Sequence, residues 1–153
     1  MKIYQLNKSI KLPITKEEAW EFLSDPKNLQ KLMPADMGFD IISGADRKAY
    51  AGQLIEYNVS PFKGFNTKWV TEITHVEKPL YFVDIQLYGP YKLWHHKHFI
   101  HEIKGGVEIE DVVHYRVPFG FIGNLMHPIV VKPKLEEIFK IRTEKMHALF
   151  GKY

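Results

Sequence analysis

Residues 93–101 read LWHHKHFIH, and the alternation of their side chains decides how the chain is interpreted. Successive side chains of a β-strand point to opposite faces, so Trp94, His96 and His98 share one face. The pattern predicts a strand over Leu93–Ile103 whose inner face mixes imidazoles with apolar groups. A simple core would hold apolar side chains there, so the pattern favours a cavity wall that meets a ligand or water.

The strands predicted on either side, over residues 80–88 and 107–117, carry the same mixed face. On each of them, polar side chains alternate into a face that is otherwise apolar. Three successive strands therefore predict one continuous wall, which is typical of a binding cavity. The inward polar residues are Asp84 and Gln86 on the earlier strand and Asp111 and Tyr115 on the later one.

The rest of the chain predicts a single α+β domain that spans residues 1–153. A first strand precedes two short helices, which begin at a capping box of Thr15 with Glu18 and at the pair Asp25-Pro26. Turns rich in Gly and Pro then separate six strands, and such short connections predict an antiparallel meander. The seven predicted strands cover residues 3–12, 39–43, 51–59, 65–76, 80–88, 93–103 and 107–117.

Apolar residues recur at helical spacing between Leu135 and Leu149, and this repeat predicts one long C-terminal helix. Pro128 and Pro133 predict that the beginning of the helix is kinked or separate. Pro133 is acceptable in the first turn of the main segment, because the first amides of a helix have no partner within it.

The composition of the chain argues against a nucleic-acid-binding or membrane-spanning protein. The formal charge of +3 comes from basic residues scattered among acidic ones, whereas nucleic-acid-binding proteins gather them on one face. No apolar run reaches the roughly 20 residues of a membrane span, and the chain contains no cysteine. We therefore expect a cytoplasmic protein without nucleic-acid partners or stable membrane insertion, and the oligomeric state stays open. Aromatic residues make up 14% of the chain, which favours a pocket for an apolar molecule.

Three local patterns resemble the START and polyketide cyclase superfamily, also called SRPBCC. They are Thr15-x-x-x-Ala19-Trp20-x-x-Leu23-x-Asp25-Pro26-x-x-Leu29, a Gly89-Pro90 turn followed by Trp94-x-His96-x-His98, and Ile138-Phe139-x-x-Arg142. The second is similar to the pattern of a mostly uncharacterised bacterial subgroup. The resemblance covers nearly the whole chain and implies a helix-grip fold, in which a curved antiparallel sheet of about seven strands wraps around the long C-terminal helix. It also implies a deep cavity for a lipid, a polyketide or another apolar molecule, without implying one reaction.

The pair Gly105-Gly106 sets the expected register of the last hairpin. A two-residue turn there puts Lys104 opposite Val107. Counting back along the strands then gives the pairs His96 with Tyr115, His98 with Val113, and Ile100 with Asp111.

Across the preceding hairpin, Asp84 is expected to face either His96 or His98, depending on the length of the loop. We favour His96 as its partner, because the register also places His96 beside Tyr115. An imidazole held between these two groups would be oriented by the carboxylate and have its other nitrogen left for Tyr115 or a ligand.

Several interpretations of these polar residues stay open. They can form a satisfied structural network, contact a ligand, or catalyse a reaction with Asp84, His96 and Tyr115 as candidate catalytic residues. A metal site is a further alternative, because two histidines and the Asp84 carboxylate make a possible ligand set. The superfamily that the chain resembles is not generally metal-dependent, so we predict no metal and no cofactor.

Arg142 lies in the apolar stripe of the C-terminal helix, where a guanidinium needs an anion or a path to solvent. Asp111 is the leading partner within the protein, and a ligand carboxylate would serve equally. The apolar, glycine-containing segments 60–65 and 119–123 are the expected mobile lips of the cavity entrance.

The sequence thus predicts a protein that binds a small apolar molecule with a polar or acidic head group. The alternative is a cofactor-independent cyclase, dehydratase or isomerase that uses an Asp-His pair. The ligand-binding candidates are Trp69, Phe82, Asp84, Gln86, Trp94, His96, His98, Asp111, Tyr115 and Arg142.

Overall fold

Seven antiparallel strands form one open, curved sheet in the computed structural model, which describes residues 1–62 and 64–153. The strands are β1 (Tyr4–Leu12), β2 (Asp40–Ser43), β3 (Gln53–Phe62), β4 (Phe65–Glu77), β5 (Tyr81–Tyr88), β6 (Leu93–Ile103) and β7 (Gly106–Arg116). Their order across the sheet is β1-β7-β6-β5-β4-β3-β2. Strands β2 to β7 therefore form the predicted meander, and β1 closes the order by pairing with β7.

Four α-helices accompany the sheet in the described part of the chain. They are α1 (Lys16–Leu23), α2 (Pro26–Leu32), α3 (Gly120–Met126) and α4 (Lys132–Phe150). The predicted capping box begins α1, since Thr15 Oγ1 accepts from the Glu18 amide at 3.1 Å and Glu18 Oε2 accepts from the Thr15 amide at 2.8 Å. None of the described helices combines the length and hydrophobicity that crossing a membrane requires.

The C-terminal helical region begins irregularly, as its two prolines predict. The chain leaves β7 through Phe119, whose φ of 64° is unusual for a bulky residue. A π-helical segment, His127–Val131, then joins α3 to α4. Pro128 lies in this segment and cannot donate a backbone hydrogen bond, while Pro133 occupies the first turn of α4.

The turn between β6 and β7 differs from the prediction. Ile103 faces Gly106, so the turn consists of Lys104 and Gly105, and the predicted pairing of Lys104 with Val107 is wrong. Gly105 supplies the positive φ, at 83°. Gly106 already belongs to β7, where a Cβ atom would lie 2.1 Å from the Leu12 carbonyl oxygen. Glycine is needed there for close packing against β1 rather than for the turn.

This difference shifts every pair of the β6–β7 hairpin by two positions. The observed partners are Trp94 with Tyr115, His96 with Val113, His98 with Asp111, and Ile100 with Ile109. Because the shift is an even number, the same residues still face the interior. Its main consequence is that Asp111 lies opposite His98 instead of Ile100.

The core lies between the concave face of the sheet and the helices. Buried residues from both layers meet there, among them Ile55 and Ile109 of the sheet, Trp20 of α1 and Met146 of α4. This sheet wrapped around a long C-terminal helix is the predicted helix-grip architecture.

Candidate functional site

A cavity of about 720 Å³ lies between the sheet, α2 and the C-terminal helices. Its volume falls within the roughly 300–1,000 Å³ of small-molecule sites. The aromatic residues predicted for the wall, Trp69, Phe82 and Trp94, all line it. Trp69 and Trp94 meet edge to face, with their ring centroids 5.4 Å apart. The wall is therefore mostly apolar and aromatic.

Five polar side chains meet at one place on this wall, and we call them the buried polar cluster: Asp84, His96, His98, Asp111 and Arg142. Strand β5 supplies Asp84, β6 both histidines, β7 Asp111, and α4 Arg142. All are buried except Asp84, whose side chain is 15% exposed. Asp111 is held behind the other four, which line the cavity.

Strand pairing explains why the cluster forms. His96 and His98 are two residues apart on β6, so they share a face, and their ring centroids are 3.7 Å apart. Asp84 lies opposite His96 on one side, and Asp111 lies opposite His98 on the other. Two carboxylates thus flank two imidazoles across three neighbouring strands.

Asp111 is the centre of the cluster. Its Oδ1 atom accepts a hydrogen bond from His96 Nε2 at 2.9 Å. The same oxygen lies 3.0 Å from His98 Nδ1 and 3.4 Å from Arg142 Nη2, as ionic contacts. The predicted pairing of Arg142 with Asp111 is therefore present, and it joins α4 to the sheet.

Asp84 binds a different histidine from the one we favoured. Its Oδ2 atom accepts a hydrogen bond from His98 Nε2 at 2.6 Å and lies 3.8 Å from His96 Nδ1. Asp84 does face His96 in the register, but its carboxylate reaches the diagonal neighbour on β6 instead. The register pair of Asp84 with His96 is thus confirmed, but the expected hydrogen bond goes to His98, and Tyr115 lies opposite Trp94 instead of His96.

The pKa values of the two histidines are shifted in opposite directions. Burial lowers the pKa of His98, but its contacts with Asp111 and Asp84 outweigh burial and raise that pKa above its ordinary value. For His96, burial and the neighbouring charge of His98 outweigh both carboxylates, so its pKa is lowered. The lowered pKa keeps His96 a neutral imidazole at neutral pH, whereas the raised pKa of His98 favours its imidazolium form.

Both carboxylates of the cluster are ionised. Burial raises the pKa of Asp111, but the Arg142 guanidinium and the two imidazoles more than offset it and hold that pKa well below its usual range. Burial likewise opposes ionisation of Asp84, and the hydrogen bond from His98 together with the charges of both histidines lowers its pKa. With His98 protonated, the cluster holds two negative and two positive charges.

Tyr115 and Gln86 lie outside the cavity wall. The Tyr115 hydroxyl hydrogen-bonds to His127 Nε2 at 2.6 Å, and burial raises the pKa of Tyr115 to about 12. Gln86 instead holds the β5–β6 turn, since its Nε2 donates to the Tyr91 carbonyl at 2.7 Å and its Oε1 accepts from the Tyr91 amide at 3.1 Å. The predicted inward face therefore contributes both wall residues and structural contacts.

Three residues near the site were not among the sequence candidates. Tyr57 and Tyr91 line the cavity, and burial raises the pKa of both phenols, which stay protonated. His127 stacks on Tyr4, with ring centroids 3.6 Å apart, and bonds to Tyr115. Alternation on β3 places Tyr57 inward and could have identified it, whereas the position of His127 depends on the π-helical segment.

The predicted lips lie at the cavity mouth. Phe62 and Phe65 from one segment and Phe119 and Ile122 from the other line the cavity while remaining exposed to solvent. Phe119 is 79% exposed, so its side chain is not packed in the core. Lys63, in the first of these segments, lies outside the described residues.

The cluster also contains the side chains that the metal alternative requires. Ligand atoms of Asp84, His96 and His98 all lie within 4.8 Å of one another. Two imidazoles and one carboxylate are a ligand set that divalent transition metals accept. In this arrangement, however, each Nε2 atom already donates to a carboxylate, so a metal would have to displace one or both of these hydrogen bonds.

Comparison with solved structures identifies the fold independently of sequence. Ginseng major latex-like protein 151 from Panax ginseng is similar with a TM-score of 0.70 and 12% identity, covering 97% of each chain. Protein Ms6760 from Mycobacterium smegmatis has a TM-score of 0.68 and 16% identity, covering 97% of this chain and 96% of the other. A protein from Thermus thermophilus, TTHA0849, has a TM-score of 0.68 and 14% identity, covering 97% of this chain and 99% of the other.

In comparisons by sequence, no protein-family model and no curated protein matches the chain. At these levels of identity, the structural likeness establishes the helix-grip fold alone. The function has to be argued from the cavity and its polar cluster.

Proposed function

We propose that this protein binds a small, largely apolar molecule whose polar head group meets the buried polar cluster. The observation that carries the proposal is a cavity of about 720 Å³ whose mostly apolar wall contains a single concentration of charged groups among the described residues. Apolar burial would supply most of the affinity, and the polar groups would fix the orientation of the ligand. A lipid, a polyketide or an aromatic compound has this combination of parts.

The mouth of the cavity supports the same proposal. A group of exposed aromatic and aliphatic side chains at a cavity rim is typical of a ligand-binding groove. Phe119 is followed by Gly120, and both have positive φ, so the backbone changes direction sharply where the rim begins. A rim of this kind can open without disturbing the strands that hold the cluster.

An uncharged fluorescent probe, N-phenyl-1-naphthylamine, tests whether the cavity takes up apolar molecules. Thr71 is buried and lines the cavity, so Thr71→Trp should fill part of it and weaken probe binding by at least about tenfold. Glu72→Trp adds the same ring next to it on β4, outside the cavity lining, and should leave the affinity unchanged. Absence of saturable binding, or equal binding by both folded variants, would contradict the proposal.

A second candidate function is proton transfer on a bound carbonyl compound, as in a cofactor-independent cyclase, dehydratase or isomerase. The observation that favours it is a neutral histidine on the cavity wall, His96, whose Nε2 is engaged by Asp111. Its Nδ1 atom is then a proton acceptor, and a depressed pKa keeps it unprotonated at neutral pH. Because His98 and not His96 binds Asp84, this version differs from the pair predicted from sequence.

Mass spectrometry of a molecule that co-purifies with the protein separates the two functions. Incubation with fresh protein should leave its mass and chromatographic retention unchanged if the protein only binds it. Conversion by the wild type that is lost in His96→Gln would establish the enzyme. Conversion that persists in His96→Gln would exclude His96 as the base.

A further inference from the structure

The carboxylates of the buried polar cluster already balance the positive charges of Arg142 and His98, so neither cation is free to bind an anionic ligand. Arg142 is held by Asp111 at 3.4 Å, and His98 lies 2.6 Å from Asp84 and 3.0 Å from Asp111. When His98 is protonated, two carboxylates therefore balance one guanidinium and one imidazolium. If His98 were neutral instead, the balance would be negative, so neither state presents an excess of positive charge.

A carboxylate head group would meet repulsion at this wall. To reach Arg142 it would approach Asp111 and Asp84, and like charges repel strongly in a site from which water is excluded. Protonation of His96 could compensate, but the centroid of its ring lies only 3.7 Å from that of the His98 ring, so two adjacent imidazolium groups would result. The geometry thus opposes an anion in either protonation state.

The remaining cation on the cavity wall in the described chain is Lys134. Its side chain is 20% exposed, and its Nζ atom lies 3.1 Å from Glu137 and 4.0 Å from Asp36. Both acids are more exposed than Lys134, and their negative charges offset its positive charge. Lys134 therefore does not supply the isolated positive charge that a buried carboxylate would need.

The groups that do remain for a ligand are neutral. His96 Nδ1 has no hydrogen bond among the described residues, with Asp84 Oδ2 at 3.8 Å as its nearest acidic neighbour. Since Nε2 donates to Asp111, Nδ1 is an acceptor and requires a ligand that carries a hydrogen. Tyr57 and Tyr91 line the same cavity, and their hydroxyls, which have no hydrogen bond in the described structure, can donate in return.

We infer that the cavity selects a neutral head group that both donates and accepts hydrogen bonds, such as a hydroxyl or a primary amide, and that Asp111 excludes carboxylates by neutralising Arg142. This inference rests on the proposed binding function and narrows its ligand class. It corrects the expectation of an acidic head group that Arg142 suggests from sequence alone. A carboxylate fails on two counts, because it carries a charge and has no hydrogen to donate to His96.

Three ligands with the same chain length test the inference in the wild-type protein. Decan-1-ol, decanamide and decanoate are compared by displacement of N-phenyl-1-naphthylamine at neutral pH. We expect the alcohol and the amide to bind at least about tenfold more tightly than decanoate. Equal or tighter binding of decanoate would overturn the inference while leaving the proposed function intact, whereas failure of all three ligands and of the probe would contradict the proposed function itself.

A matched pair of variants identifies the residue responsible. Asp111→Asn removes the negative charge behind Arg142 and should lower the ratio of alcohol to decanoate affinity by at least about tenfold. Glu110→Gln makes the same change at the next position of β7, on the exposed face, and should leave the ratio as in the wild type. An unchanged ratio in folded Asp111→Asn would overturn the role of Asp111. If that variant does not fold, the wild-type comparison still decides the head-group preference.

Discussion

The β6–β7 hairpin carries acid–histidine contacts on both of its faces, at nearly equal distances. On the outer face, His101 Nε2 lies 2.8 Å from Glu110 Oε2, and both side chains are exposed. On the inner face, His96 Nε2 lies 2.9 Å from Asp111 Oδ1, and both side chains are buried. The outer pair stands in water, whereas the inner one is joined by a second imidazole, a guanidinium and the wall of a cavity.

The difference shows that distance alone does not measure what an acid–histidine pair does. Water screens the outer pair and solvates each member when the other is lost. The inner groups have no such alternative, so each depends on its partners for charge balance. The same interior location also gives these groups access to a ligand, which the outer pair lacks.

The largest expected difference between the faces is in stability. Asp111→Ala leaves Arg142 and His98 without their shared anion and should cost about 3–5 kcal/mol in the free energy of unfolding. Glu110→Ala, one residue away on the outer face, should cost less than about 1 kcal/mol. Urea denaturation of both variants measures the contrast, and similar losses would mean that the inner network is not a coupled unit.

The inner histidines should also make the free energy of unfolding depend on pH, with one decline on the alkaline side and another on the acid side. The raised pKa of His98 means that its contribution is complete below the ordinary histidine pKa and is lost as pH rises through the raised value. The lowered pKa of His96 means that stability falls as pH drops below the ordinary value, because the unfolded chain takes up a proton first. The stabilisation that Asp84 and Asp111 contribute is lost at lower pH, as the pH falls through their depressed pKa values.

Each of these two declines should disappear when the histidine that causes it is replaced. His98→Gln is expected to remove the decline on the alkaline side, and His96→Gln the decline just below the ordinary histidine pKa. The free energy of unfolding measured by urea titration across the pH range checks both. A wild-type profile that is flat between the carboxyl range and the alkaline side would show that the two histidine pKa values are not shifted in opposite directions.

The smallest expected effect is the coupling energy between His101 and Glu110 on the outer face. A double-mutant cycle with His101→Gln and Glu110→Gln should give a coupling energy of no more than about 1 kcal/mol, and added salt should reduce it. The same cycle with His98→Gln and Asp84→Asn should give a clearly larger coupling that salt changes little. Equal coupling energies on the two faces would remove the basis of the comparison.

The sequence predicts most of this hairpin, because alternation decides which residues face inward. Trp94, His96, His98 and Asp111 are all on the predicted face. The capping box at Thr15 and the irregular start of the C-terminal helix follow equally from local rules.

The partners within the cluster could not be predicted in the same way. Two adjacent glycines, Gly105 and Gly106, allow more than one two-residue turn, and the choice depends on the close approach of Leu12 from β1, which is distant in sequence. The choice of His98 by the Asp84 carboxylate depends on a diagonal contact that a count of opposite residues does not include. Long-range packing therefore decides both outcomes.

The central claim is that the inner face, and not the outer one, recognises the head group of an apolar ligand. Imidazole ¹⁵N NMR of the protein, recorded with and without saturating decan-1-ol, tests it most directly. We predict that the Nδ1 resonance of His96 moves as its nitrogen accepts a hydrogen bond, while the resonances of His101 on the outer face do not. Saturable binding of the alcohol that leaves the His96 resonances unchanged would contradict the claim.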